Sequence, residues 1–247
     1  DTSIAAGEFL GINQHTEANA CVRTQTGTSS AKQITLSFYA KADSTKTYVV
    51  QVLNNKHSGY IHNNRTFTVT SSWQRFTMTF QADTTADSKF DGDLTAAGFS
   101  ITWILHAGSN YTSATLASDW ATGTTNRAAG AGSFFSATSN TFLLTGVQLE
   151  VGDTATDFEH RTFGDELQSC QRYFQKIISS SSETSLDFGT GQAFSGTSGY
   201  IFNELPVTMR AKPSLSNSIS ALGNMGSMNA TGGGMGISGL AILTAWS

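Results

Sequence analysis

From Gln33 onward, apolar and polar side chains alternate along the chain in short runs. Ile34, Leu36, Phe38 and Ala40 take turns with Thr35, Ser37, Tyr39 and Lys41, the period of a half-buried strand. Tyr48 to Leu53 is a second, Val-rich run, and Thr66 to Thr70 a short one built around Phe67 and Val69. Between Trp73 and Ala82, Phe76, Met78 and Phe80 alternate with Arg75, Thr77 and Thr79. Phe99, Ile101, Trp103 and Leu105 define a strongly apolar strand. Phe142 to Val151 forms another, interrupted by Gly146, the kind of position that marks a bulge or a close backbone approach. Asp1 to Ala20 is weakly patterned, with Ile4, Phe9, Leu10 and Ile12 as its apolar anchors. Ala107 to Gly132 has no sustained period, and a loop that long is functional or wraps the domain. Short strands between turn clusters predict a mainly β protein. Its body is an antiparallel, jelly-roll-like β-sandwich over Gln33 to Val151, with Ile34, Leu36, Phe38, Phe76, Phe80, Ile101, Trp103 and Leu149 facing inward.

The period then changes. Leu167, Cys170, Phe174 and Ile177 recur at three- and four-residue steps, which predicts a helix over Thr162 to Lys176. Thr162 followed by Asp165 resembles a capping arrangement, and Lys176 suits the negative end of the helix dipole. A helix of this length is marginal alone, so its Leu167, Cys170 and Phe174 face is expected to dock. Beyond the polar spacer Ser179 to Ser182, plausible strands are Tyr200 to Asn203, Val207 to Met209, Ser214 to Ile219 and Gly239 to Ala245. Pro206 and Pro213 fall at their edges, where a missing N–H is harmless. The expected organisation is a sandwich over 1–157, a joint with its helix over 158–180 and a small C-terminal β domain over 181–247.

Composition narrows the class. Charged residues make up 13% of the 247, against about 25% in ordinary soluble proteins. Hydroxyl and amide side chains take their place, as on an extracellular or particle-bound β protein. A net charge of −4 with no basic cluster makes nucleic acid an unsuitable partner. Cys21 and Cys170 are too few for a disulfide framework and read as free thiols, Cys170 on the buried helix face. No run is long and apolar enough for membrane insertion. The sequence starts at Asp1 without Met or a visible signal peptide, as a piece of a longer protein would.

Signatures of catalysis are missing: there is no GxSxG elbow, no HExxH pair and no zinc-spaced Cys or His cluster. Glu150 with Asp157 or Glu159 is the one carboxylate pair that a glycosidase could use. The favoured alternative makes Glu159, His160 and Arg161 a polar latch between sandwich and helix, and the chain a non-enzyme. Tyr60, His62, Asn63, Asn64, Tyr111 and Trp120 form the candidate glycan surface, since sugar C–H faces stack on aromatic rings and their hydroxyls bond to amides and imidazoles. The favoured alternative makes the same loop aromatics anchors that pin their loops, since aromatics are mostly spent on packing. Trp73 and Trp103 read as core or rim. Asp83, Asp87, Asp91 and Asp93 lie in one acidic loop, and Asp87, Asp91 and Asp93 are candidate calcium ligands. Asp91-Gly92-Asp93 also reads as a hairpin turn. Asn229 to Gly236 is a Gly-rich turn without the Lys-Ser/Thr ending of a phosphate loop.

One stretch carries a family resemblance: TGVQLEVGDTATDFEHRTFGDELQSCQRYFQK, Thr145 to Lys176. It resembles the joint of large virion proteins of marine tailed bacteriophages, where it follows a β-sandwich similar to carbohydrate-binding modules. Weaker likeness extends through SAKQITLSFYAKA, SSWQRFTMTFQADTT and HAGSNYTSATLASDWAT upstream and FNELPVTMRAKPSL downstream. Attachment to host-surface glycan is read from the loop aromatics and Asn-rich loops. The resemblance implies a tail-fibre or head-fibre component on the virion surface. It also implies contacts with other virion proteins, a homo-oligomer with a trimer as the expected state, and room for a structural calcium ion. The alternatives are a purely structural decoration module and a glycan-degrading virion enzyme.

Overall fold

The computed structural model describes residues 5–92, 94–176, 190–193, 199–202 and 204–210. The chain divides into two compact units, Asp1–Glu159 and His160–Ser247.

The first unit is a β-sandwich of two antiparallel sheets. Its strands are β1 (Phe9–Glu17), β2 (Ile34–Ala42), β3 (Lys46–Asn54), β4 (His62–Val69), β5 (Gln74–Phe80), β6 (Ala97–Ala107) and β7 (Phe142–Val151), with single helical turns α1 (Ala18–Cys21) and α2 (Ser109–Thr112). One sheet runs β1-β6-β3-β4 and the other β5-β2-β7. Alternation delivers the core as expected. Ile34, Leu36, Phe38, Phe80, Ile101 and Trp103 are buried between the sheets, and Phe76 and Leu149 pack against them half-buried. At the centre the Phe38 ring meets Phe67 and Phe76 at 5.3 Å and Trp103 at 5.6 Å. Edge-to-face and offset contacts of this kind add to plain area burial.

Gly146 sits at a bulge. Its φ is +58°, and the pairing of β7 with β2 jumps from Tyr39↔Thr145 to Ser37↔Gln148. The extra residue switches the inward parity of β7, so Phe142 and Leu144 precede the bulge and Val147 and Leu149 follow it, all four against the core.

Segments on the outer faces complete the unit. Residues 152–159 cross the β5-β2-β7 sheet: Thr35 Oγ1 donates to Gly152 O at 2.8 Å, and Gln148 Oε1 accepts from Glu159 N at 2.8 Å. Residues 107–132 lie over the four-stranded sheet. There Ala128 is buried on Val49 and Ile104, flanked by Tyr111, Leu116 and Ala131. The loop also extends the β4 edge, with His62 and Ala121 exchanging two backbone bonds of 2.9 Å.

Strand β1 is a departure from the sequence pattern. As the outermost strand it has its inward-facing Ile12 and Gln14 exposed, so no clean apolar alternation marks it. In the second unit the helix α3 is shorter than expected, Phe163–Gln171. Thr162 caps it as read: its Oγ1 accepts from Asp165 N at 3.3 Å and donates to Asp165 Oδ2 at 2.7 Å. Lys176 lies beyond its end. The expected docking of its face is corrected: Leu167 and Cys170 are exposed, and Phe174, past the helix end, is 70% exposed. Nothing among the described residues covers that stripe. Both cysteines are free, Cys21 buried. A short hairpin pairs β8 (Thr190–Ala193) with β9 (Gly199–Phe202), while Val207 to Met209 is irregular rather than a strand. The expected strands Ser214 to Ile219 and Gly239 to Ala245 lie outside the described residues, as does the Gly-rich turn.

Candidate binding cleft

Register on the four-stranded sheet builds the site. Asn13 pairs with Thr102, Thr102 with Gln51, and Gln51 with Asn64; one row on, His15 pairs with Ser100, Ser100 with Leu53, and Leu53 with His62. Successive strand residues point to opposite faces, so these two rows share the face turned away from the core. The loop 107–132 covers part of that face and leaves a cleft of about 400 Å³ over the remainder. Its floor is polar. One wall is the turn holding Asn55, Gly59 and Tyr60, and the other carries Gly123, Thr124 and Arg127.

A chain of hydrogen bonds beneath the floor fixes every amide orientation. Arg127 can only donate, and its Nη2 bonds to Gln51 Oε1 at 2.6 Å. Gln51 therefore turns Nε2 toward Asn64 Oδ1, at 2.9 Å. Asn64 Nδ2 then donates to Ala117 O at 3.0 Å and to His62 Nδ1 at 2.9 Å. With Nδ1 accepting, the His62 proton resides on Nε2, which donates to Gly123 O at 3.0 Å. Burial pushes the His62 imidazole below its ordinary value; the bond to Gly123 opposes this and the Arg127 charge reinforces it. The network ties the covering loop to the sheet and holds Arg127 in place.

Nearer the mouth, Ser100 Oγ accepts from Asn55 Nδ2 at 2.7 Å and meets His15 Nδ1 at 2.7 Å. His15 is itself exposed on strand β1 and lines the cleft. Tyr60 stands at the rim, 63% exposed and at φ +52°, a conformation bulky residues rarely hold. Its backbone N bonds to His57 O at 3.0 Å, closing the turn that presents the ring.

Of the expected glycan residues, the cleft gathers Tyr60 and His62, with Asn64 directly beneath. Asn63 belongs to the other face: it is buried against the sandwich interior, where its Oδ1 accepts from Arg65 Nη1 at 2.6 Å. Tyr111 packs edge-on to Phe9 at 5.3 Å, in the cluster that pins the covering loop. Trp120 stacks on Phe99 and donates Nε1 to Gln81 O at 2.6 Å, plugging the sandwich edge. Asn63, Tyr111 and Trp120 are thus structural in this fold, and the anchoring alternative describes the last two. Asn13, His15, Gln51, Thr102 and Arg127 went unassigned from the sequence. The readable signal was Ser100 and Thr102 alternating with Phe99, Ile101 and Trp103, and Gln51 set inside a run of Val.

The remaining candidates stand elsewhere. Glu150 holds the crossing segment, accepting from Thr156 N at 3.0 Å and Thr156 Oγ1 at 2.6 Å, and those bonds hold its carboxyl below the ordinary value. Asp157 faces Arg75 at 3.9 Å with its carboxylate in solvent. In the proposed latch, Glu159 N is bound to Gln148, and Arg161 pairs with Glu166 at 4.0 Å. In the acidic loop Asp91 pairs with Lys89 at 3.5 Å, Asp87 sits in a turn at φ +70°, and Asp93 lies outside the described residues. Among the described residues no three His, Cys, Asp or Glu side chains gather to hold a metal. Asp83 is buried and accepts from Asn54 Nδ2 at 3.2 Å and Thr85 N at 3.0 Å, so it staples its loop.

No family model matches the chain, and neither does any curated protein. Among solved structures, a chain described as "CBM4 structure and function" aligns at 18% sequence identity with a TM-score of 0.31, over 57% of this chain and 60% of that one. The chain therefore spans under two thirds of that neighbour's length.

Proposed function

We propose that this chain is a glycan-binding sandwich on a bacteriophage virion appendage, and that it binds without cleaving. The observation that carries the binding part is the cleft itself. Hydroxyl, amide and imidazole groups line its floor, and one exposed aromatic ring is held at its rim, which is how a sugar's hydroxyls and C–H face are met at once. Among the described residues the cleft lining contains no Asp or Glu, and Glu150 is engaged on the other sheet. Both points favour binding over hydrolysis by a carboxylate pair. The virion part rests on the resemblance of the joint sequence. Shallow sites of this kind are weak singly, and display in many copies raises avidity by ~10²–10⁴.

The test presents host-surface polysaccharide to the purified chain and follows retention together with release of reducing ends. Retention is expected, reduced roughly fivefold or more by Tyr60→Ala, because stacking on one ring is worth about 1 kcal/mol. Reducing ends that disappear in Glu150→Gln would move the assignment to a glycan-degrading enzyme. Retention of no host-surface fraction would leave a purely structural module.

A further inference from the structure

We infer that the sugar this cleft selects is anionic, its carboxylate or sulfate meeting Arg127; the inference rests on the glycan-binding reading above. Among the described residues, Arg127 is the one formally charged residue lining the cleft. Its guanidinium has a single hydrogen bond, to the neutral amide of Gln51, and it lies over the Phe9 ring at 5.9 Å. Among the described residues, buried Nε has no acceptor and Nη1 no partner. Burial pushes the group below its ordinary value, and nearby Tyr111 opposes the shift. A half-buried guanidinium is normally met by a carboxylate, and none among the described residues meets this one. Arg65 shows the contrast: its guanidinium donates to Asn63, Asn64 and Ser118 and is absorbed into the structure.

The surroundings of Arg127 point the same way. His15, Asn13 and Thr124 line the same cleft and add side-chain hydrogen-bonding groups without bringing any negative charge. The chain's net charge of −4 does not oppose this, because exposed charges beyond about 10 Å are screened at ordinary ionic strength. A neutral sugar would leave the Arg127 charge unanswered; an acidic one gives Nη1 an anionic oxygen while its ring rests on Tyr60.

The experiment uses the whole chain and matched ligands: a polyuronate oligosaccharide against the same oligosaccharide with its carboxyls reduced to alcohols, and a sulfated galactan against its desulfated form. Affinity for at least one acidic form is expected to exceed its neutral partner's roughly ten- to hundredfold, the range for a hydrogen bond to a charged group. The difference should shrink as salt is raised. Arg127→Gln should abolish the preference, and Arg127→Lys should retain part of it. Which acidic form is preferred tells carboxylate from sulfate. Equal binding within both pairs would overturn the anionic inference while leaving glycan binding standing. Binding of none of the four would overturn both. A preference that survives in folded Arg127→Gln would remove Arg127 from the role. The comparison of matched ligands on the unmodified chain decides the main point even if the variant fails to fold.

Discussion

The imidazole of His62 accepts at Nδ1 and donates at Nε2, so a second ring proton would have to displace Asn64. Its folded value lies below the ordinary 6.5, so on acidification the unfolded chain takes up the proton first. The stabilisation is therefore fully present above about pH 6.5 and is lost as pH falls through the depressed folded value. Thermal melts from pH 8 to pH 5 should show a falling midpoint in the native chain. His62→Gln should have a lower midpoint at pH 8 and a flatter profile. Parallel profiles for the two would mean that the ring does not titrate with unfolding. At this scale the sequence was read unevenly. Asn63 and Asn64 are adjacent and chemically identical, yet one faces the sandwich interior and the other the cleft, and only strand register separates them. Arg127 was hidden more deeply, because its segment has no period and its place depends on bonds to distant Gln51.

Elements whose two faces meet different surroundings were the legible ones. The alternation over Ile34 to Ala40 gave β2 directly, because its core face is apolar and its neighbours carry Thr and Ser. Strand β1 escaped notice since it is the outermost strand of its sheet, and Ile12 and Gln14 on its inward face are both exposed. Helix α3 shows the converse. Its three- and four-residue apolar spacing is real, but spacing reports which residues share a face and says nothing of whether that face is covered. The energetic consequence separates the two stripes. Phe38→Ala removes a fully buried ring and should cost ~3–5 kcal/mol. Phe174→Ala, on an exposed ring, should cost less than about 1 kcal/mol in the unassembled chain. Denaturant titration of the two variants checks the contrast, and a large loss from Phe174→Ala would show that the ring is packed in solution.

At the scale of the molecule, part of the uncovered apolar surface gathers on one short helix and on outermost strands. Phe163 is 81% exposed, and Tyr173, Phe174 and Leu167 are exposed on or just past the same helix. Ile12 on β1 and Leu143 and Val151 on β7 are exposed on outermost strands. Open strand edges and exposed aromatic stripes are the surfaces that neighbouring copies cover in symmetric assemblies. On the proposed reading as a fibre component, the copies must also stand in register. We expect the full chain to form a homo-oligomer, with a trimer as the specific state. Sedimentation velocity at micromolar concentration should give a single species of three chains. A Phe163→Asp, Phe174→Asp double variant should shift it toward monomer with the sandwich melting point unchanged, because those rings lie outside the sandwich unit. A monodisperse monomer of the unmodified chain would remove the oligomer, and a trimer indifferent to both substitutions would place its interface on the strand edges instead.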